Sequence, residues 1–280
     1  MKTFLKWQGN KSKHISKIEK YLPEEIFDKN WSGTYIEPFI GSGAMLLYIE
    51  PEKWIINDLN KDLINIWKSV KNTPEKLINL IKTFGKKFKP LSNEQKLNLC
   101  TKMTNNISNT EYNDKRASMY LLMNNCAYMG NIFIKNKYKF ASLNMSIKNN
   151  TYSFLSEKYY DNLLDISEYL NETKGIIYNK DYKIILAKAK KGDFVFLDPP
   201  YIEEINYKFN YNKDEVLNED FIDTLVKEMN YLDKKNVKWI MTQADTKMIR
   251  LKFKKYNIKV FKVYRITKKG YVNELLIMNY

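Results

Sequence analysis

The chain has 280 residues, 44% of them hydrophobic and 14% aromatic, which is enough to bury a full core and too apolar for a disordered chain. Lys and Arg outnumber Asp and Glu by 47 to 32, a formal charge of +15 that suits a polyanionic partner, although abundant Lys, Asn and Ile also fit an AT-rich coding sequence. Two cysteines, Cys100 and Cys126, exclude a disulfide framework and lack zinc-ligand spacing, and the single histidine, His14, excludes His-rich metal sites and argues against a Ser-His-Asp triad.

The opening stretch has no apolar run of signal-peptide length, and no segment approaches a membrane span, so a soluble, cytoplasmic protein is expected. Phe4 to Lys11 reads Phe-Leu-Lys-Trp-Gln-Gly-Asn-Lys. Trp7 offers a flat apolar face and Lys11 a cation, suited to a ligand carrying a sulfonium and a carboxylate. Taken in isolation, the stretch reads better as an exposed arm with one buried Trp. Ser12 is placed to cap a helix running to about Tyr21, which Pro23 ends.

Thr34 to Gly43 reads strand, glycine turn, then the apolar helix Ala44-Met45-Leu46-Leu47-Tyr48, the opening of a nucleotide-binding βαβ unit. Gly41 and Gly43 let a ligand approach the backbone closely. The third glycine of the dinucleotide fingerprint is missing, and no Lys-Ser or Lys-Thr follows as in a Walker loop. A ligand with an adenosine but no pyrophosphate fits better, and S-adenosylmethionine is such a ligand. The next strand, Lys53 to Asn57, ends at Asp58, about twenty residues past the first strand, where such folds place a ribose-hydroxyl acceptor. Capping of a helix from Lys61 to Val70 is the plainer role for Asp58, and the two are compatible.

From about Trp67 to Asn150 helical spacing dominates, with helices expected over Glu75 to Phe84, Asn93 to Met103 and Asn113 to Met123. Ile132-Phe133-Ile134 and Tyr138-Lys139-Phe140, joined by Lys135-Asn136-Lys137, read as a hairpin with a basic tip. Asn124, Asn125 and Tyr128 stand just before it. Together they are candidates for reading bases, with Lys135, Lys137 and Lys139 on phosphates. A solvated, lysine-rich edge hairpin has the same appearance.

A helix from about Ser153 to Asn171 returns the chain to α/β rhythm, and Gly175 to Tyr178 forms a strand. Asp181 and Tyr182 at its end offer a hydrogen bond and a ring for an adenine. After a helix over Lys183 to Lys190, Phe194-Val195-Phe196-Leu197 reads as a strand buried on both faces, and it stops on Asp198-Pro199-Pro200-Tyr201. Asp198 and the Pro199 carbonyl can accept hydrogen bonds from an exocyclic amine, localising its lone pair for attack on a methyl donor. Tyr201 can stack on the base, swung out of its duplex. No metal is needed. Glu203 to Glu215, with Phe209 and Tyr211, is long enough to close over a substrate. A helix over Asn218 to Asp233 and strands over 237–242, 258–263 and 274–278 complete the chain.

The order of these pieces resembles the DNA adenine methyltransferase (Dam-type) family over nearly the whole chain. Phe4 to Lys11 looks like that family's K-W-x-G-G-K, with Asn10 replacing a glycine. Glu37-Pro38-Phe39-Ile40-Gly41-Ser42-Gly43 matches E-P-F-x-G-x-G, Asn57 to Asn60 matches D-x-N, and the DPPY tetrad and the closing strand from Asn273 follow in order. The resemblance implies a Rossmann-like methyltransferase sheet over 1–66 and 151–280, with an inserted, mainly helical recognition domain over 67–150 that carries the hairpin. It implies S-adenosylmethionine contacts from Trp7, Lys11, Asp58 and Asp198, with Glu37, Phe39, Gly41, Gly43, Asp181 and Tyr182 shaping the donor pocket. Asp198 to Tyr201 would form the adenine pocket, and double-stranded DNA would be the partner, as in restriction-modification. Monomer or weak dimer is the expected state.

In the recognition segment, Met129, Asn131 and Phe133 stand where the family has Asn, Leu and Arg, and Ala141-Ser142-Leu143 replaces N-V-P. Arg is the usual bidentate reader of guanine, so these departures weigh against a GATC target. RNA adenine or DNA cytosine N4 methylation would use the same DPPY chemistry. A subunit that binds donor or DNA without turnover is a further reading.

Overall fold

The computed structural model describes residues 1–134, 137–201, 219–265 and 269–280. Seven strands form one sheet: β1 (Tyr35–Glu37), β2 (Lys53–Asn57), β5 (Lys174–Tyr178), β6 (Phe194–Leu197), β7 (Lys238–Ala244), β8 (Asn257–Arg265) and β9 (Gly270–Met278). A separate two-stranded hairpin pairs β3 (Phe133–Ile134) with β4 (Lys137–Tyr138). The sheet order is β5-β2-β1-β6-β7-β9-β8, parallel except that β9 runs against both of its neighbours.

Strand β6 shows why this order holds. Phe194 and Phe196 enter one core and Val195 and Leu197 the other, as side chains alternating across a sheet must. A strand apolar on both faces is stable only between two layers, so it sits at the centre. From β1 the chain winds outward through β2 to β5, whereas β6 lies on the other flank of β1. That reversal opens a crevice at the carboxyl ends of β1 and β6, the place where open α/β sheets take ligands.

The helices are α1 (Ile15–Ile18), α2 (Leu46–Ile49), α3 (Lys61–Asn72), α4 (Pro74–Phe88), α5 (Asn93–Ile107), α6 (Asp114–Cys126), α7 (Met145–Lys148), α8 (Glu157–Glu172), α9 (Tyr182–Leu186), α10 (Glu219–Lys234) and α11 (Lys247–Lys252). The helix expected from Ser12 to Tyr21 is instead three short turns, Lys11–Lys13, α1 and Glu19–Tyr21. Local chemistry sets several boundaries. Asn60 caps α3 by accepting from the Leu63 N–H at 3.0 Å, and Ser92 and Gln95 form a reciprocal capping box on α5. Among the described residues no helix is long and apolar enough to cross a membrane.

The helical segment does not have a core of its own. Leu77, Ile81, Ile107, Leu121, Ile132 and Phe140 belong to the same cluster as Tyr35, Trp54 and Phe196 of the sheet. Position 67, the expected start of an insertion, falls inside α3, a helix packed against β5 and α8.

One buried ion pair ties that insertion together. Arg116 and Asp62 are each 4% exposed, with Arg116 Nε 2.5 Å from Asp62 Oδ1 and Nη2 3.2 Å from Oδ2. Arg116 also donates to the carbonyls of Ile107, the last residue of α5, and of Thr110 beyond it, and the Tyr138 hydroxyl of β4 donates to Asp62. Replacing Arg116 with Ala would strand a carboxylate in the core. Chemical denaturation should show a loss of about 3–5 kcal/mol, the usual cost of breaking a buried pair.

Candidate active site

Asp198 emerges from β6 with its carboxylate held at both oxygens. Lys11 Nζ lies 2.7 Å from Oδ2, and the Thr242 hydroxyl donates to Oδ1 at 2.5 Å. Lys11 is 5% exposed and also donates to the Gly9 carbonyl at 2.8 Å, so its cation is aimed rather than free to swing. Pro199 is buried, and neither proline has an N–H to continue the ladder, so the chain leaves the sheet here. The Tyr201 ring follows, with Lys11 Nζ 5.1 Å and Arg265 Cζ 5.4 Å from its centroid. Its hydroxyl donates to Glu274 at 3.1 Å. Burial pushes the Tyr201 phenol well above its ordinary range, and the charges of Asp198 and Glu274 add to the shift.

The donor side is built on the glycine turn. Gly41 and Gly43 have φ of +47° and +71°, a region that side chains other than glycine avoid. A Cβ on Gly41 would stand 2.8 Å from the Trp7 ring, and one on Gly43 would stand 2.4 Å from Trp67. The turn is therefore clasped between two indoles, and Trp67 Nε1 donates to the Gly41 carbonyl at 3.2 Å. Asp58 accepts from the N–H of Gly41 at 3.2 Å and of Asn60 at 3.0 Å, and burial raises its carboxyl to about 6. Phe39 and Tyr182 face each other with centroids 5.1 Å apart. Asp181 caps α9 through the Lys183 N–H at 2.8 Å. Glu37 is 3% exposed and accepts from the Tyr35 hydroxyl at 2.8 Å; burial drives its carboxyl well above the usual range, with the charge of Asp198 contributing.

The recognition side departs from expectation. Asn124 is buried and accepts from the Lys6 N–H at 2.9 Å while donating to the carbonyls of Lys6 at 2.7 Å and Gly130 at 2.8 Å. Asn125, also buried, donates to the Leu121 carbonyl at 3.0 Å. The Asn124 amide thus joins the N-terminal arm to the turn at Gly130, whereas the Asn125 amide bonds within its own helix and to the Tyr159 hydroxyl at 3.4 Å. Tyr128 is 52% exposed and Met129 46%. Lys139 is exposed as expected, whereas Lys135 and the side chain of Lys137 lie outside the described residues, as does the 203–215 segment with Phe209 and Tyr211.

Residues 7–267 match the family described as D12 class N6 adenine-specific DNA methyltransferase. The chain belongs to this family. It is 31% identical over 299 residues to the type II methyltransferase M.MjaIII of Methanocaldococcus jannaschii, covering 100% of this chain and 99% of the relative. It is 28% identical over 289 residues to the type II methyltransferase M1.LlaDCHI of Lactococcus lactis subsp. cremoris, covering 100% and 96%. A DNA adenine methylase of Vibrio cholerae is 24% identical over 200 residues, 71% of this chain and 65% of that one. The chain is accordingly an adenine-specific DNA methyltransferase, with S-adenosylmethionine as methyl donor and DNA as substrate. The cytosine and RNA readings give way to that assignment. The donor set fits the cofactor: a half-buried carboxylate at Asp58 for hydroxyls and a pair of rings at Phe39 and Tyr182.

Three polar residues of this methyltransferase's site were missed from sequence. Asn57 donates to the carbonyls of Pro38 and Lys180, each at 3.0 Å, and accepts from the Lys180 N–H at 2.8 Å, joining the loops after β1 and β5. Thr242 orients Asp198, and Arg265 pairs with Glu274 at 2.9 Å. The available signal was a polar residue closing an otherwise apolar central strand, as in Trp239-Ile240-Met241-Thr242. Thr242→Val keeps the shape and removes the donor to Asp198. Steady-state kinetics should show kcat lower by about tenfold, the scale of one hydrogen bond to a charged group, with the fold intact by circular dichroism.

Proposed function

We propose that this enzyme flips its target adenine out of duplex DNA and methylates N6 in the crevice between β1 and β6. The observation that carries this reading is the Asp198 carboxylate, fixed by Lys11 and Thr242 beside the Tyr201 ring. Two carboxylate oxygens offer about four lone-pair sites, so an amine N–H still finds an acceptor when two are taken. Asp198 and the Pro199 carbonyl draw the N6 hydrogens into hydrogen bonds, which turns the nitrogen lone pair out of the ring plane. Pro200 holds the turn, and Tyr201 stacks on the extruded base.

The donor supplies an electrophilic methyl carbon on sulfur, which departs as a neutral thioether. Trp7, Lys11, Glu37, Phe39, Gly41, Gly43, Asp58, Asp181 and Tyr182 line its place. Nitrogen then releases one proton, through Asp198, to water. Holding amine and methyl in line accounts for most of the rate. Tyr128 and Lys139 face the duplex, and the exposed Tyr128 ring supports that placement.

Incubation with S-adenosylmethionine and genomic DNA, followed by modified-base sequencing, should show N6-methyladenine within one short motif. Asp198→Ala should lower kcat by about 10²–10³-fold, the scale of removing one preorganised partner of the reacting group. Modified DNA at the wild-type rate from that variant would reject Asp198 as the amine acceptor.

The raised carboxyl of Asp58 sets a pH dependence. Hydroxyls donate to the ionised form, which prevails above about 6 in the free enzyme, against an ordinary value of 3.8. Donor affinity measured by calorimetry should hold above that point and fall by about tenfold per pH unit below it, whereas Asp58→Asn should give a weak, flat profile. Proton uptake also favours the folded state here: between 3.8 and about 6 the folded chain holds the proton more tightly, so this group's contribution to stability declines as pH rises through that window.

A further inference from the structure

Glu274 is an acid at 5% exposure in a strand that is otherwise apolar from Leu275 to Met278. Its backbone is paired on both sides, with Ala244 of β7 and Phe261 of β8, so the carboxylate cannot leave by a small shift of the chain. One oxygen accepts from the Tyr201 hydroxyl at 3.1 Å and the other from Arg265 Nη2 at 2.9 Å. Arg265 lies four registers further along the same ladder, opposite Gly270, and its guanidinium carbon is 5.4 Å from the Tyr201 centroid. Burying a carboxylate is costly unless it is paired, and here the pairing is shared between a cation and the tail of the DPPY motif.

We infer that Glu274, backed by Arg265, is a positioning residue for Tyr201: it fixes the ring plane before the target base arrives. The inference rests on the pocket described above, in which Tyr201 stacks on the extruded adenine. A tyrosine ring turns about two single bonds, and the prolines ahead of it restrain only the backbone. A hydrogen bond at the far end of the ring removes that freedom. Arg265 serves twice, neutralising Glu274 and resting near the ring. Asp198 is held by Thr242 on β7 and Tyr201 by Glu274 on β9, so the two ends of the DPPY motif are set by adjacent strands of one sheet.

The test is a double-mutant cycle on the full chain with Tyr201→Phe and Glu274→Gln. Rates are measured on a duplex bearing the mapped site, and flipping is followed by fluorescence of 2-aminopurine at the target position. Each single variant should lower kcat by about tenfold to a hundredfold, the scale of a small misplacement at a reacting centre. KM for the donor should stay within about twofold, and the 2-aminopurine signal of the bound duplex should change. The double variant should be no worse than the poorer single one, because both remove the same contact. Wild-type kcat in Tyr201→Phe, or losses that multiply in the double variant, would overturn the inference. Tyr201→Phe keeps the ring and the Glu274–Arg265 pair, so it decides the matter even when Glu274→Gln folds poorly. Tyr201→Ala separates the two levels. If it is inactive while Tyr201→Phe is fully active, the stacking pocket stands and the role of Glu274 falls; if it is fully active, the pocket itself is wrong.

Discussion

The ion pair between Lys11 and Asp198 is the contact on which the site depends. It joins residues 187 positions apart, one in the N-terminal arm and one at the end of the central strand. Lys11 is almost wholly buried, and a buried ammonium is tolerated only where an anion meets it. The arm therefore cannot close on the sheet unless the carboxylate is present and correctly turned, and Thr242 supplies that turn. Charge-assisted bonds of this kind are short and directional, which suits a group that must keep its remaining lone pairs pointed at a substrate.

Around that pair the donor crevice is made rigid by packing rather than by charge. The Gly41 to Gly43 turn lies between Trp7 and Trp67, and each glycine occupies a backbone conformation and a gap that a side chain would spoil. Trp67 belongs to α3, so the glycine turn rests on the helix that leads into the helical segment. Asn57 adds a polar cross-tie between the loops after β1 and β5. The crevice thus has fixed walls on each side of Asp58.

Legibility in the sequence followed local chemistry. Strand β6 was readable because four apolar residues run into two prolines, and an uninterrupted apolar run that short needs burial on both faces. The glycine turn was readable because strand, Gly-x-Gly and apolar helix occur within one short span. The internal bonds of Asn124 were not readable because an asparagine at a helix end has the same letter whether it faces solvent or bonds a carbonyl; its partner Lys6 lies 118 residues away. Thr242 and Glu274 escaped for a related reason. Their partners lie on or just beyond nearby strands that are distant in sequence, and strand pairing order is not written in either strand. The shared core was equally hidden, since the apolar periodicity of α4 to α6 says which face is buried and not what covers it.

The arm from Lys6 to Lys11 gives the molecule a further property. At one end the Lys6 backbone is held by Asn124, whose amide also grips Gly130, and the Lys6 ammonium donates to the Asn125 carbonyl at 2.7 Å. At the other end Lys11 holds Asp198, and between them Trp7 packs on the Gly41 turn. A Cβ on Gly130 would stand 2.6 Å from Lys6 Cβ, so the exposed Tyr128-Met129 step is seated directly against the arm. Six residues of extended or turning chain thereby touch the 128–130 turn, the Gly41 turn and the Asp198 carboxylate in succession. A shift of the recognition loop by DNA would have to move the arm, break its bonds to Asn124, or be absorbed in Gly9, which has φ of +78° and whose carbonyl is itself bound to Lys11. The first two cost packing or hydrogen bonds and the third disturbs the cation on Asp198. The arm thus couples the 128–130 turn to the Asp198 carboxylate through fixed contacts.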